Sequence, residues 1–330
     1  MTSSSYITSS SYITSSRNII KEGNMTIRYD NQVAIVTGAG AGLGRSHAIA
    51  LASRGAKVVV NDVGNADGSL SQGALDVVAE IQKAGGEAIA NGANVANMQQ
   101  VQAMVEEVMS LWSRVDILVN NAGILRDKSF GKMSIEDFQV VLDVHVMGSV
   151  NCTKAVWDIM KQQNYGRIVM TTSSSGLYGN FGQANYGAAK MAVVGFMNTL
   201  CIEGQKNSIK INCLSPTART AMTEEIIEDK RVLELMTVES VTTGLLALVA
   251  ENAPNRSILG CGAGGYARAV IKETDGIYLP PEQQTPENLL ASWDALEDQS
   301  KSEELVAGWM QTNKYVAKAA ASLGINLAKS

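Results

Sequence analysis

Two groups of residues in this chain have types and spacings that could do chemistry. The first is Gly38, Gly42 and Gly44, in Thr37-Gly38-Ala39-Gly40-Ala41-Gly42-Leu43-Gly44, directly after an apolar run at 33–36. Gly38 permits a tight turn, Gly42 lets the backbone approach a pyrophosphate, and Gly44 lets strand and helix pack closely. An anion would then sit at the amino end of the next helix, where free N–H groups and the helix dipole favour it. The second group is Tyr186 and Lys190, whose i, i+4 spacing puts them on one helix face. A free phenol titrates at about 10. A neighbouring ammonium and a positive nicotinamide favour the phenolate, which can take a hydroxyl proton as hydride leaves carbon. Together the two groups predict hydride transfer coupled to proton transfer.

Asp62 closes the run Val58-Val59-Val60-Asn61-Asp62, at the distance from the glycines where a carboxylate accepts adenosine ribose hydroxyls. The same charge repels a 2′-phosphate, by roughly 4 kcal/mol per unit charge at ~4 Å and an effective dielectric of ~20, before screening. No Lys or Arg precedes Gly42, that place being Ala41. NAD is therefore expected rather than NADP.

These residues need a frame to hold them. Apolar strand-like runs at 33–37, 57–61, 87–91, 117–120, 167–172 and 210–214, with a short last one near 257–260, alternate with helical patterns near 44–54, 73–84, 99–112, 135–163, 184–207 and 238–251. That alternation predicts an α/β fold, a doubly wound (Rossmann) parallel sheet of about seven strands with helices on both faces. Asn120-Asn121-Ala122-Gly123 and Thr171-Thr172-Ser173 then end two strands at the ligand edge. Residues 25–265 form this dehydrogenase domain. Beyond it, Pro280-Pro281 and Pro286 break the chain, and helical patterns at 286–300 and 302–323 predict a C-terminal extension (266–330) packed on the same domain. In the second of these, Val306, Trp309, Met310, Asn313, Val316 and Ala320 share a face, read as docked on the core.

Composition narrows the function classes. A net charge of -5 with no basic run argues against nucleic acid. Two histidines exclude a His-rich metal site, and four scattered cysteines read as buried thiols. The apolar runs fall short of a membrane span. The start repeats Thr-Ser-Ser-Ser-Tyr-Ile, so residues 1–24 read as a disordered low-complexity tail, with Met25 as the expected native start.

Gly38, Gly42 and Gly44, the Asn-Asn-Ala-Gly run, Ser173 and the Tyr186/Lys190 pair together make residues 33–265 resemble the short-chain dehydrogenase/reductase family. The resemblance implies that Ser173 orients the carbonyl or hydroxyl, Tyr186 is the acid/base, and Lys190 binds the nicotinamide ribose and tunes Tyr186. It implies cofactor contacts from Leu43, Asn94, Val95, Asn121, Ala122, Gly123, Pro216 and Thr220 besides the glycines and Asp62. Where the family usually places Asn in the central helix, this chain has His145, a candidate to hold a water or relay a proton. His47 reads as structural. The stretches 121–130 and 165–186 look like the (3R)-hydroxyacyl-CoA dehydrogenase branch, which also carries His there. The implied reaction is NAD-dependent oxidation of a (3R)-3-hydroxyacyl-CoA, fatty or steroid side-chain. The alternative is a dehydrogenase of a free hydroxysteroid or secondary alcohol. Gln183 and Arg219 are the candidate substrate contacts. In the family, helices matching 135–163 and 184–207 pair across a two-fold axis, which implies a homodimer or homotetramer. The last residues, Leu327-Ala328-Lys329-Ser330, are not a Ser-Lys-Leu address, and a cytoplasmic location is expected.

Overall fold

The computed structural model describes residues 26–218 and 229–327; the tail at 1–24, Met25, Arg219 and Thr220 lie outside them. In order come β1 (Val33–Thr37), α1 (Gly42–Ser53), β2 (Lys57–Asn61), α2 (Gln72–Lys83), β3 (Glu87–Asn91), α3 (Met98–Trp112) and β4 (Ile117–Asn120). Next are α4 (Ile135–Leu142), a π-turn (Asp143–Met147), α5 (Gly148–Gln163), β5 (Gly166–Thr171), α6 (Ser174–Tyr178), α7 (Ala184–Gly204) and β6 (Ile209–Pro216). The remainder is α8 (Lys230–Leu235), α9 (Val238–Val249), β7 (Ile258–Gly262), β8 (Gly265–Ala269), α10 (Pro286–Ala291), α11 (Trp293–Leu296) and α12 (Gly308–Ser322).

The strands form one sheet in the order β3-β2-β1-β4-β5-β6-β7-β8. Seven run parallel, each pair joined by a helical crossover; β8 returns antiparallel along β7. The expected seven strands are therefore eight. β8 escapes a sequence reading because it is a largely exposed hairpin return, with no apolar alternation to mark it. In the strands, successive side chains point to opposite faces. Val33 and Ile35 of β1 join a core layer with Val101 and Met104 of α3, Val156 of α5 and Val193 of α7. Ala34 and Val36 join the other layer with Leu51 of α1, Val77 of α2 and Leu245 of α9. The order reverses on either side of β1, and at such a switch point the crevice outside the strands' carboxyl ends takes the ligand.

The stretch Lys230–Val249 is long and apolar enough to cross a membrane, with mean hydropathy 1.6, yet half of it is buried in the fold. Thr237 caps a fresh helix within it, and α9 lies against α1 and the sheet. The C-terminal extension is tied down by polar contacts. Arg256 donates to Leu305 O, Arg268 pairs with Glu304, and Lys314 of α12 meets Glu273 at 2.9 Å. The apolar face expected to dock is largely open, Trp309 being 65% exposed; Ala320 is the residue of α12 that is buried. Periodicity says that a face is apolar, but not what covers it.

Candidate active site

The glycine loop is built around contacts that admit no side chain. A Cβ on Gly44 would lie 2.1 Å from Gly38 O, and one on Gly38 2.8 Å from Ala122 Cα. Gly38 and Gly42 also take positive φ, +62° and +52°. The loop is bolted to the end of β4 by two side chains. Asn121 Nδ2 donates to Thr37 O and Gly38 O at 2.9 and 3.1 Å. Thr37 Oγ1 accepts from the N–H groups of Asn121 and Ala122 at 3.0 and 3.1 Å and donates to Val119 O. Thr37 belongs to the glycine motif, but its role as a three-way joint is not visible in the motif.

Helices α2, α3 and α4 are capped by Ser71, Asn97 and Ser134, whereas α1 starts at Ala41 with no side-chain cap and no acidic residue in its first turn. Its first N–H groups, beside half-buried Leu43, therefore suit an external anion. Asp62 directly follows β2 and accepts from Gly40 N at 2.8 Å, so one carboxylate oxygen holds the loop. Directly after it, a cavity of about 650 Å³ is lined by Val63, Leu70, Asn91, Asn94 and Met104. Asn94 uses its own side chain to accept from Ala96 N. Val95 is buried, and its carbonyl accepts from Asn151 Nδ2 at 2.9 Å. Asn151 is a brace that sequence reasoning missed, since nothing marks a helical Asn as reaching another loop. Pro216 ends β6 on the same edge, in register with Cys261.

Ser173, Tyr186, Lys190 and His145 come together. Ser173 caps α6, accepting from Ser175 N at 3.2 Å, and its hydroxyl lies close enough to the Tyr186 phenol to favour the phenolate. Gly176 lets α6 lie on α7, since a Cβ there would be 2.8 Å from Lys190. Lys190 is buried; its Nζ sits 5.4 Å from the Tyr186 ring centre and donates to Thr171 O at 2.6 Å. Burial pushes this ammonium down to about 7. In the protein by itself, Lys190 is not among the groups that shift the phenol. Burial raises Tyr186, the Ser173 hydroxyl lowers it, and the Asp127 carboxylate raises it.

His145 projects inward from the π-turn, a wide turn that often marks a functional position. Its ring packs edge-on to Tyr186, with centres 5.3 Å apart and planes at 84°. Gly123 must be glycine because a Cβ there would lie 2.3 Å from the imidazole. Nε2 lies 2.8 Å from Ile124 O and 3.1 Å from Ile124 N, one contact suiting each neutral tautomer. Burial first, then Lys190, lowers His145 to about 3, so the ring is neutral. His47, by contrast, is buried with its Nδ1 2.8 Å from Thr242 Oγ1.

Gln183, a candidate substrate contact, is buried and held by its neighbours. Its amide donates to Asp127 at 2.7 Å and accepts from Ser175 and Asn180 at 2.7 and 3.0 Å, leaving little for a ligand. Asp127 and Asn185 are further residues the sequence did not single out. Buried Asn185 donates to the carbonyls of Arg126 and Asp137 and accepts from Tyr186 N, which fixes the start of α7.

The fold and this site define a class, and the chain belongs to it: it is a member of the short chain dehydrogenase family, matched over residues 32–231. Among curated proteins it is 46% identical over 289 residues to peroxisomal multifunctional enzyme type 2 of Drosophila melanogaster, covering 85% of this chain and 48% of that protein. The chain thus spans about half the length of that relative. The solved full-length structure of the same Drosophila enzyme superposes with a TM-score of 0.75 at 38% identity, covering 90% of this chain and 51% of that one. A 7α-hydroxysteroid dehydrogenase solved with NADH and 7-oxo glycochenodeoxycholic acid superposes with a TM-score of 0.64 at 29% identity, covering 72% of this chain and 95% of that one. The plain cytoplasmic expectation is overturned: close relatives are named as peroxisomal enzymes, and nothing about location follows from the last four residues.

Family and fold imply a nicotinamide dinucleotide, and the residues fit one. The α1 end is uncapped, and the loop beside it is crowded at Gly38 and Gly44 but open at Gly42. Three buried polar atoms without a partner among the described residues also mark the carboxyl edge: Asn120 Oδ1, Thr171 Oγ1 and His145 Nδ1.

Proposed function

We propose that this chain is an NAD-dependent dehydrogenase that oxidises a (3R)-3-hydroxyacyl-CoA to the 3-ketoacyl-CoA. The observation that carries the reading is the Ser173–Tyr186–Lys190 cluster at the carboxyl edge, beside an uncapped helix end that suits a dinucleotide. The thioester choice rests on the likeness to the multifunctional enzyme, extending through residues 121–130 and 165–186. Bound nicotinamide supplies the hydride acceptor. Ser173 holds the 3-hydroxyl, and the Tyr186 oxygen takes its proton as the carbonyl forms. Lys190 sits against the Tyr186 ring and holds the nicotinamide ribose, and neutral His145 fixes the ring's orientation. Asp62 supports NAD over NADP, since its second oxygen has no hydrogen bond among the described residues and would face a 2′-phosphate.

A panel of 3-hydroxyacyl-CoA thioesters of both hands, assayed with NAD and NADP, tests this. NADH should form from the 3R series, with NAD preferred by about tenfold or more, as a carboxylate facing a phosphate requires. Turnover of free hydroxysteroids without thioester oxidation would establish the second reading, which the likeness to the 7α-hydroxysteroid dehydrogenase supports. The enzyme is also proposed to be a homodimer or homotetramer through α5 and α7, with Met191 and Ile202 of α7 40% and 53% exposed. Light scattering at micromolar concentration should show no monomer; a monomer would remove this part of the proposal.

A further inference from the structure

One rim of the active-site edge combines exposed aromatics with cations. The chain has four phenylalanines, and two of them, Phe130 and Phe181, are 74% and 90% exposed. They sit on two segments held together beside the catalytic helix. Lys128 N donates to Gly182 O at 2.9 Å, Gln183 reaches Asp127, and Asn185, next to Tyr186, reaches Arg126 O. Asp137 accepts from Lys128 at 2.8 Å and lies 4.0 Å from Arg126, so one carboxylate gathers two cations whose side chains stay about half exposed. Lys132 follows on the same segment, exposed and in no ion pair among the described residues. Three acids share the segment: Asp127 is turned to Gln183, Asp137 is shared by two cations, and Glu136 is exposed, so the formal charges match and Lys132 is the cation left without an ion pair among the described residues.

Solvated aromatic faces are covered by planar apolar partners, and clustered cations by a polyanion. We infer that this rim binds the phosphorylated adenosine head of coenzyme A, the base against Phe130 and Phe181 and the phosphates against Arg126, Lys128 and Lys132. The inference rests on the thioester reading and gives it a recognition surface. The acyl end would enter toward Ser173 and Tyr186, while the nucleotide stays outside the catalytic cleft. The rim therefore selects the carrier and not the acyl chain.

The test is calorimetric titration of the NAD-loaded enzyme with free coenzyme A and with pantetheine, which lacks the nucleotide. Coenzyme A should bind about tenfold more tightly, an advantage that fades as salt screens the exposed cations. The double variant R126Q/K132Q and the single variant F181A should each lose most of that advantage while binding pantetheine and NADH as wild type does. Equal affinity for the two ligands, or variants that keep the wild-type preference, overturns the inference. So does a Phe181→Ala protein whose oligomeric state changes while coenzyme A affinity does not, since the rim would then face a second copy of the chain. No turnover is needed: coenzyme A binding without thioester oxidation defeats the functional reading alone, and thioester oxidation indifferent to the rim variants defeats the rim alone.

Discussion

Tyr186→Phe should retain cofactor binding and lose alcohol oxidation by roughly 10²–10⁴-fold, the span a positioned acid–base group contributes. The substitution deletes one oxygen and keeps the ring, so the edge contact with His145 and the packing of α7 on α6 persist. No neighbour is placed to substitute. Ser173 is a neutral hydroxyl, Lys190 Nζ donates to Thr171 O, and His145 Nε2 is engaged by the Ile124 backbone. Because burial raises the phenol, wild-type oxidation should climb with pH as the phenolate forms, and that limb should be missing in the variant. Steady-state kcat against pH, with NADH fluorescence as a control for binding, reads both. A variant within about twofold of wild type would mean that the proton goes elsewhere.

Lys190→Met should abolish most activity while making the folded chain more stable. The ammonium is buried with no carboxylate beside it among the described residues, and burial lowers it from 10.5 to about 7. Between those values the unfolded chain binds more protons than the folded one, so stability should rise as pH climbs from about 7 to 10.5, then level off. Below about 7 the folded chain carries the full cost of a buried cation. A methionine of similar shape removes that cost and the pH slope with it, at the expense of the hydrogen bond to Thr171 O. Each kcal/mol relieved should raise Tm by about 2–4 °C. Thermal melts of both proteins at pH 7 and 9 check the sign. A destabilised variant, or one that keeps the wild-type slope, would show that Lys190 is not the source of strain.

Much of this site was legible in sequence because its chemistry is local. A glycine that must lie against a backbone, or a Tyr and Lys one helical turn apart, leaves a fixed spacing. The parallel sheet was legible for a similar reason, its buried strands being continuous apolar runs. What escaped depends on contacts between distant segments. The wide turn that aims His145 at Tyr186 has no signature in a helical pattern, so residues 135–163 read as one regular helix. Only three-dimensional neighbours show the Gln183 amide engaged by Asp127, Ser175 and Asn180. Asn151 and Asn185 act on loops far along the chain, and no spacing rule links them.

Thr37 has a consequence for how a ligand enters. Its hydroxyl already makes three hydrogen bonds, one donated and two accepted, which exhausts what such a group can make. The glycine loop and the Asn121 segment therefore move as a single block, and the crevice cannot widen by separating them. On the opposite flank, among the described residues, loop and sheet are joined by the bond from Gly40 N to the Asp62 side chain and the backbone bond from Ala39 N to Asn61 O. Compliance is thus confined to the adenosine end, and the end where hydride moves is a rigid anvil whose spacing from Ser173 and Tyr186 is set before any ligand arrives.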